Sequence, residues 1–328
     1  MDNAPQIVVF ALGGTIAMTS ATTGSKAESG AMPTLGADAL VSAVPQLADV
    51  AEITSETLVN VGSANLDFSC IQKLCQRAQL ADCDGIVVTQ GTDTLEETAF
   101  LASLLYEGDK PLIFTGAMRT PGQLSADGPT NLFDAVLTAC ALEGGVYVVM
   151  NREIHDPWRV CKMHTTDLGA FQSPGTGAVG RIIENAVHLE LHEQQAPLGL
   201  SADVCSRPVA LLQAGLGDDT RLLKQILGLG YEGLVIEAYG AGHLSEDWAD
   251  CAVDIAKHIP VILSSRCTGG AVLEATYGYK GAEMDLIQRG LIPAGNLKSR
   301  KARHLLSLLL ADRPSQWLAR FLAIKASF

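Results

Sequence analysis

Basic residues are in short supply: 23 lysines and arginines stand against 36 aspartates and glutamates, for a formal charge of −13. A surface of that sign repels phosphate backbones, which argues against nucleic acid as a partner. Long apolar runs are missing as well, and none approaches the ~20 residues of a membrane-spanning helix. Met1 to Phe10 has neither the basic start nor the apolar stretch of a secretory signal, so a cytoplasmic protein is expected. The eight cysteines (70, 75, 83, 140, 161, 205, 251, 267) include no Cys-x-x-Cys pair. Set mostly in apolar stretches, they read as buried free thiols of a reducing compartment. No Walker pattern occurs, and Gly175-x-Gly177-x-x-Gly180 follows Ser173-Pro174, not a strand, so it reads as a loop. His188 and His192 sit in a strand-like alternation with no third ligand following. Neither a metal nor a cofactor is expected.

What remains is a chain of 328 residues, 48% hydrophobic and 18% charged, enough for two globular domains. Ile7–Leu12, Gly85–Thr89, Pro111–Thr115 and Val146–Met150 read as buried strands of a parallel sheet. Cys70–Leu80, Leu95–Tyr106 and Asn131–Leu142 repeat apolar residues at helical spacing. The polar, Pro- and Gly-containing segment 193–207 is the expected linker. After it come strands at Val209–Gln213, Gly233–Glu237 and Val261–Ser264. Helices are expected at Arg221–Leu229, Glu246–His258 and beyond Lys298. The expected fold class is α/β: a larger doubly wound parallel-sheet domain over 1–192 and a smaller C-terminal α/β domain over 208–328.

Two of the buried strands end alike. Ala11-Leu12-Gly13-Gly14-Thr15 and Val88-Thr89-Gln90-Gly91-Thr92-Asp93 each run into a glycine and then a threonine. This puts a hydroxyl just past the carboxyl end of a strand, where open α/β sheets bind ligands. Thr94 and Glu97 have the spacing of a capping box, so a helix should begin near Thr94, with Asp93 at its positive end. A carboxylate there suits a ligand's ammonium group, and a simple helix cap accounts for Asp93 or Thr94 equally well. Thr15 is a weak nucleophile until something accepts its proton. Lys162, desolvated in a mixed polar and apolar stretch, is a candidate base, although most lysines are solvated surface groups.

Gly13-Gly14-Thr15-Ile16-Ala17, Thr89 to Thr98, Thr115-Gly116-Ala117-Met118-Arg119 and Ser125-Ala126-Asp127-Gly128-Pro129-x-Asn131-Leu132 resemble bacterial-type asparaginases and glutaminase-asparaginases. Lys162 with Thr165-Thr166-Asp167, Phe171-x-Ser173-Pro174 and Ser264-Ser265-Arg266 continue the likeness to the C-terminus. The resemblance implies a threonine amidohydrolase that attacks the side-chain amide of L-asparagine through Thr15 and forms an acyl-enzyme. Thr92, Asp93 and Lys162 would make a second set on the other side of the amide, with Thr92 the alternative nucleophile. It further implies a substrate pocket involving Gly14, Ser63, Ala64, Gly91 and Ala117. Asp93 would hold the α-ammonium, Ser63 the α-carboxylate and the Ala117 carbonyl the leaving nitrogen. A homotetramer of paired dimers is implied too, with a glutamate of the smaller domain, Glu283 or Glu274, completing the site of a neighbour.

The match breaks in two places. The family's tyrosine on the segment after Gly-Gly-Thr is missing, since Met18–Leu35 holds none of the six tyrosines (106, 147, 231, 239, 277, 279). Tyr277 or Tyr279 reaching over a subunit boundary is a candidate replacement. After Gly62-Ser63 the chain has Ala64, where many relatives place Gln or Glu. Losing a charge-assisted hydrogen bond there costs about 1.5–3 kcal/mol. Two rivals therefore stand beside L-asparagine hydrolysis. One is the same chemistry on glutamine, D-asparagine or an amide lacking the α-amino contacts, and the other is a non-catalytic ligand sensor.

Overall fold

The computed structural model describes residues 4–19, 32–33, 36–190, 196–200 and 204–326. It divides into two compact units, Met1–Gly199 and Leu200–Phe328. The larger unit is built on an eight-stranded sheet: β1 (Gln6–Gly13), β2 (Glu52–Val61), β3 (Gly85–Thr89), β4 (Leu112–Thr115), β5 (Val146–Met150) and β6 (Glu153–His155). Two further short strands, Cys161–Lys162 (β7) and Phe171–Gln172 (β8), pair with each other outside it. The hairpin of β9 (Gly180–Ile183) and β10 (Ala186–Leu189) completes the sheet, in the order β10-β9-β6-β5-β4-β3-β1-β2. Strands β2, β1, β3, β4 and β5 are mutually parallel, whereas β6, β9 and β10 run antiparallel to their neighbours.

Helices α1 (Ala37–Ser42), α2 (Phe68–Gln79), α3 (Leu95–Leu105) and α4 (Gly128–Ala141) connect the parallel strands. Period-two alternation sends Ile7, Val9, Ala11, Val87, Ile113 and Val149 into a core shared with Leu40 of α1 and Leu132, Ala135 and Val136 of α4. Phe10, Ile86 and Phe114 lie between those positions and are equally inaccessible, while α2 and α3 pack together. Burying each such large side chain contributes ~1.5–3 kcal/mol, which is why β3 and β5 read as continuous apolar runs. The chain leaves β1 toward β2 on one side and leaves β3 toward β4 on the other. The turns after β1 and β3 therefore flank the topological switch point of the sheet.

The smaller unit carries a parallel sheet in sequential order: β11 (Val209–Gln213), β12 (Gly233–Ala238), β13 (Val261–Ser265) and the short β14 (Ile292–Pro293). Its helices are α5 (Glu246–Ala256), α6 (Glu283–Gln288), α7 (Ser299–Asp312) and α8 (Trp317–Lys325). The two-unit α/β architecture is the one expected. The helix expected over 221–229 does not form: only Leu223–Gln225 is helical, as a 3-10 turn. Just Leu223 and Ile226 are buried there, three residues apart, while Leu222 and Leu229 face solvent. Two anchors are too few to sustain an α-helix, whose stability comes mainly from packing. The thiols are free, but only Cys75, Cys83 and Cys161 are buried; Cys70, Cys140 and Cys251 are half-buried and Cys205 and Cys267 exposed, so the expectation of burial holds for three of the eight. His188 lies in strand β10, as its alternation suggested, and His192 falls outside the described residues.

Candidate active site

Three strand ends meet at the switch point. β1 finishes at Gly13, and both Gly13 and Gly14 take positive φ (98° and 88°) before a 3-10 turn over Thr15–Ala17. A Cβ on Gly14 would lie 2.0 Å from the Gly91 nitrogen and 2.2 Å from its Cα. Only glycine allows this approach, so the backbones of the two threonine turns touch. A Cβ on Gly91 would in turn come within 2.8 Å of Ser63 Oγ, in the loop after β2. The third turn, after β4, closes on the same point: a Cβ on Gly116 would lie 3.2 Å from Thr92 Cγ2. Gly14, Gly91, Ser63, Thr92 and the Gly116-Ala117 loop are thus neighbours although they lie far apart in the chain.

Thr92 is buried and wired. Lys162 Nζ donates to Thr92 Oγ1 at 2.8 Å and to Asp93 Oδ1 at 2.6 Å. The lysine side chain is 16% exposed and the aspartate 75%, so the pair leads from the interior to the solvent edge. The backbone N–H of Lys162 donates to the buried carboxylate of Glu96 on α3, which ties β7 to the helix behind Thr92. Thr15 differs. It is half-buried, and its hydroxyl has no hydrogen-bond partner among the described residues.

The Ala117 loop is braced from behind. The N–H groups of Met118 and Arg119 donate to the two carboxylate oxygens of Asp127 at 2.9 Å each. Asn131 Nδ2 donates to the Gly116 carbonyl and to Asp127, both at 3.0 Å, and Asn131 Oδ1 accepts from the Asn151 N–H. Glu96, Asp127 and Asn131 had no role in the sequence reading.

Other expected features shift. Helix α3 starts one residue after Thr94, as anticipated, but the capping box is absent: the Thr94 hydroxyl donates instead to the Ser63 carbonyl at 3.0 Å. Ala64 is exposed and offers no polar side-chain group. Met18–Leu35, the stretch lacking tyrosine, lies largely outside the described residues.

Glu283 is engaged by its own unit. Its side chain is fully buried at the start of α6. One oxygen accepts from the N–H groups of Thr276 (2.9 Å) and Tyr277 (2.7 Å), and the other faces His243 Nε2 at 3.1 Å. Burial, the largest single influence on it, pushes its carboxyl up. The amides of Tyr277 and Thr276, its own amide and His243 together outweigh that and hold it below the usual carboxylate range. Within its own unit both oxygens of the Glu283 carboxylate are thus already engaged, where the sequence reading gave it to a neighbour's substrate. Glu274 is exposed and pairs with Lys325.

No helix of the described residues is long and apolar enough to cross a membrane, and no cluster among them has the makings of a metal site. Residues 6–195 match the family model "Asparaginase, N-terminal", and residues 208–317 match "Glutaminase/Asparaginase C-terminal domain". The chain is 34% identical to L-asparaginase 2 of Escherichia coli K12, over 94% of this chain and 89% of that protein. It is 36% identical to L-asparaginase 2 of Bacillus subtilis 168, over 93% and 82%. A crystal structure of the probable cytoplasmic L-asparaginase from Campylobacter jejuni superposes with a TM-score of 0.84 at 31% identity, covering 97% of this chain and 99% of that one.

Proposed function

Because the chain belongs to the bacterial-type asparaginase family and is an amidohydrolase, we propose that it hydrolyses L-asparagine to aspartate and ammonia through an acyl-enzyme on Thr15. The observation that carries this reading is the backbone contact of Gly14 with Gly91, which joins the turn carrying Thr15, whose hydroxyl has no partner among the described residues, to the turn carrying the Lys162-bonded Thr92. Thr15 Oγ attacks the side-chain amide carbon, the C–N bond breaks, and ammonia leaves. Water then attacks the ester and regenerates the hydroxyl. Backbone N–H groups at Thr15 or Thr92 would stabilise the tetrahedral oxyanion. The Lys162–Thr92–Asp93 chain would move a proton to or from the attacking water, and Asp93, at the solvent edge, would hold the α-ammonium. Ser63 would take the α-carboxylate and the Ala117 carbonyl the leaving nitrogen, with Gly14 and Gly91 forming the floor. No cofactor enters the reaction.

The proposal includes a homotetramer of paired dimers working in the cytoplasm. The free thiols suit a reducing compartment. A second reading keeps the chemistry and changes the amide to glutamine, D-asparagine or one lacking the α-amino contact. It is favoured by Ala64, whose methyl replaces a polar grip.

Coupled ammonia release from L-asparagine, L-glutamine and their D-forms tests both readings. We expect L-asparagine to be turned over with kcat/KM of ~10⁴ M⁻¹s⁻¹ or more and Thr15→Ala to lose that activity. Turnover of another amide with asparagine inert would move the assignment to the second reading. Equal activity in wild type and Thr15→Ala would remove the nucleophile assignment, and binding without turnover would leave a sensor.

A further inference from the structure

Resting on the reading of the threonine site as that of an amidohydrolase, we propose that Gln90 is a positioning residue for the reaction. Its carboxamide fixes the Gly91–Thr92 peptide so that the Thr92 N–H receives the oxyanion. Gln90 lies just before the wired turn and has no exposed surface. Its Nε2 donates to the Gly91 carbonyl and to Thr98 Oγ1 on α3, both at 3.2 Å. Thr98 Oγ1 in turn donates to the Thr94 carbonyl at 3.0 Å.

The orientation of the carboxamide follows from chemistry. A carbonyl only accepts, and the Thr98 hydroxyl has given its hydrogen to Thr94, so both neighbours require a donor. The nitrogen of the carboxamide therefore faces them. The Gln90 backbone is held from the other side by the end of β4. Its N–H donates to the Thr115 carbonyl at 3.1 Å, and a Cβ on Gly116 would come within 2.6 Å of its carbonyl oxygen. The chain is thus tightly packed at residue 90 and helical again from Leu95.

Between those two fixed points stands Gly91. Glycine is required there, because a Cβ would lie 2.8 Å from Ser63 Oγ and 3.2 Å from the Gly14 Cα. The same glycine gives its peptide more rotational freedom than any other residue would. The Gln90 side chain takes that freedom back by holding the Gly91 carbonyl beside Thr98 of α3. In a trans peptide the carbonyl and the following N–H point in opposite directions, so the Thr92 N–H is turned away from Gln90 and Thr98. It has no acceptor among the described residues. Buried backbone N–H groups are seldom left bare, and one held open on the residue that carries the wired hydroxyl is available to an oxyanion.

A glutamine kept for the fold alone fits less well. Gln90 Oε1 is buried without a hydrogen-bond partner, and an orphaned polar atom costs stability. A methionine would fill the same room with no such oxygen. The carboxamide is accounted for when its N–H donor, aimed at the Gly91 carbonyl, is what the site requires.

Steady-state ammonia release by Gln90→Met, beside a melting curve, is the test. We expect kcat for L-asparagine to fall about tenfold or more, short of the roughly 10²–10³-fold cost of deleting an oxyanion donor outright. KM should change less than about threefold, the pattern of an interaction made in the transition state alone. The melting temperature should stay within about 2 °C of wild type or rise. Thr98→Val is nearly isosteric and removes the second acceptor of the Gln90 amide, so kcat should fall about threefold. Added to Gln90→Met it should lower kcat no further, because both act through one peptide. Wild-type kcat in a folded Gln90→Met, with or without a lower melting temperature, overturns the inference. A raised KM at unchanged kcat overturns it too, since that marks a substrate-binding role. Additive losses in the double variant overturn the route through Gly91. Should Gln90→Met fail to fold, wild-type kcat in Thr98→Val overturns the clamp. A wild type that releases no ammonia from any amide overturns the proposed function, and this inference with it, whereas an active wild type with an equally active Gln90→Met removes the inference alone.

Discussion

The chain ends β1 and β3 with the same device, an apolar strand, a glycine and a threonine, and then treats the two hydroxyls in opposite ways. Thr92 is buried, receives Lys162 at 2.8 Å and stands in front of the Glu96 anchor. Thr15 is held through its backbone, where Gly14 meets Gly91, and its hydroxyl has no hydrogen-bond partner among the described residues. A hydroxyl already engaged in the resting state suits proton handling and positioning, because its geometry is fixed before substrate arrives. An unengaged one suits attack, because it can rotate onto a carbonyl without first breaking a bond. On the proposed function, one motif used twice divides the labour between the two threonines, set by what lies behind each turn.

The sharpest way to break the comparison is to unwire Thr92. Lys162→Met keeps the unbranched apolar stem, removes the ammonium and leaves the backbone bond to Glu96 intact, so β7 should stay in place. We expect kcat for amide hydrolysis to fall ~10³-fold, about 4 kcal/mol of transition-state stabilisation, with the thermal midpoint little changed. Steady-state kinetics beside a melting curve checks it. A loss under tenfold would mean that the Lys162 contacts serve only the fold, and the two threonines would be equivalent.

The two turns were legible because their signals are local: a buried strand ends at glycine, and a hydroxyl follows. Lys162 stood out locally only as one candidate base, and its pairing with Thr92 and Asp93 was legible only through family likeness, since they lie about 70 residues upstream and no periodicity links them. The braces stayed silent for the same reason. Asp127 and Asn131 were visible as residues, but their bonds to the Gly116–Arg119 loop are long-range choices of the tertiary fold. Strand β2 escaped notice because it is a half-exposed edge without a clean alternation. At 221–229 helical spacing was present but the core beneath it was not. Thr94 matched a capping box and gave its hydroxyl to Ser63 instead, because a buried carbonyl in a neighbouring loop competed for it.

Helix α4 repeats the contrast between wired and unwired polar groups within one turn. Asn131 has its amide fully engaged, whereas Asp134, one turn on and 1% exposed, has an oxygen, Oδ2, without a hydrogen-bond partner. Burial pushes the Asp134 carboxyl up from 3.8 to about 6, and the Arg152 charge only partly offsets that. The sign follows from which state ionises first. Below pH 3.8 both states hold the proton and Asp134 adds no pH dependence. As the pH rises toward 6 the unfolded chain ionises while the folded one resists, so stability falls by up to ~3 kcal/mol and then levels off. Asp134→Asn should gain on wild type by up to that amount between pH 4 and pH 7, read as the pH-dependent part of the difference in denaturant midpoint. A difference independent of pH would mean that Asp134 has a partner in solution.

The smallest expected effect concerns the tie between Ser63 and the wired turn. The Thr94 hydroxyl reaches the Ser63 carbonyl at 3.0 Å, and that bond joins the loop after β2 to the start of α3. Thr94→Val is nearly isosteric, so packing is kept and only the bond is lost. One neutral hydrogen bond contributes about 1 kcal/mol, with a further penalty for a buried carbonyl left bare. The melting temperature should therefore drop by ~2 °C for a chain of this size. If Ser63 takes the α-carboxylate, the loosened loop should raise KM for asparagine several-fold while kcat stays within a factor of two. A loss of kcat with KM unchanged would show that the tie holds Thr92 in place instead, and the free and wired turns would then share a single support.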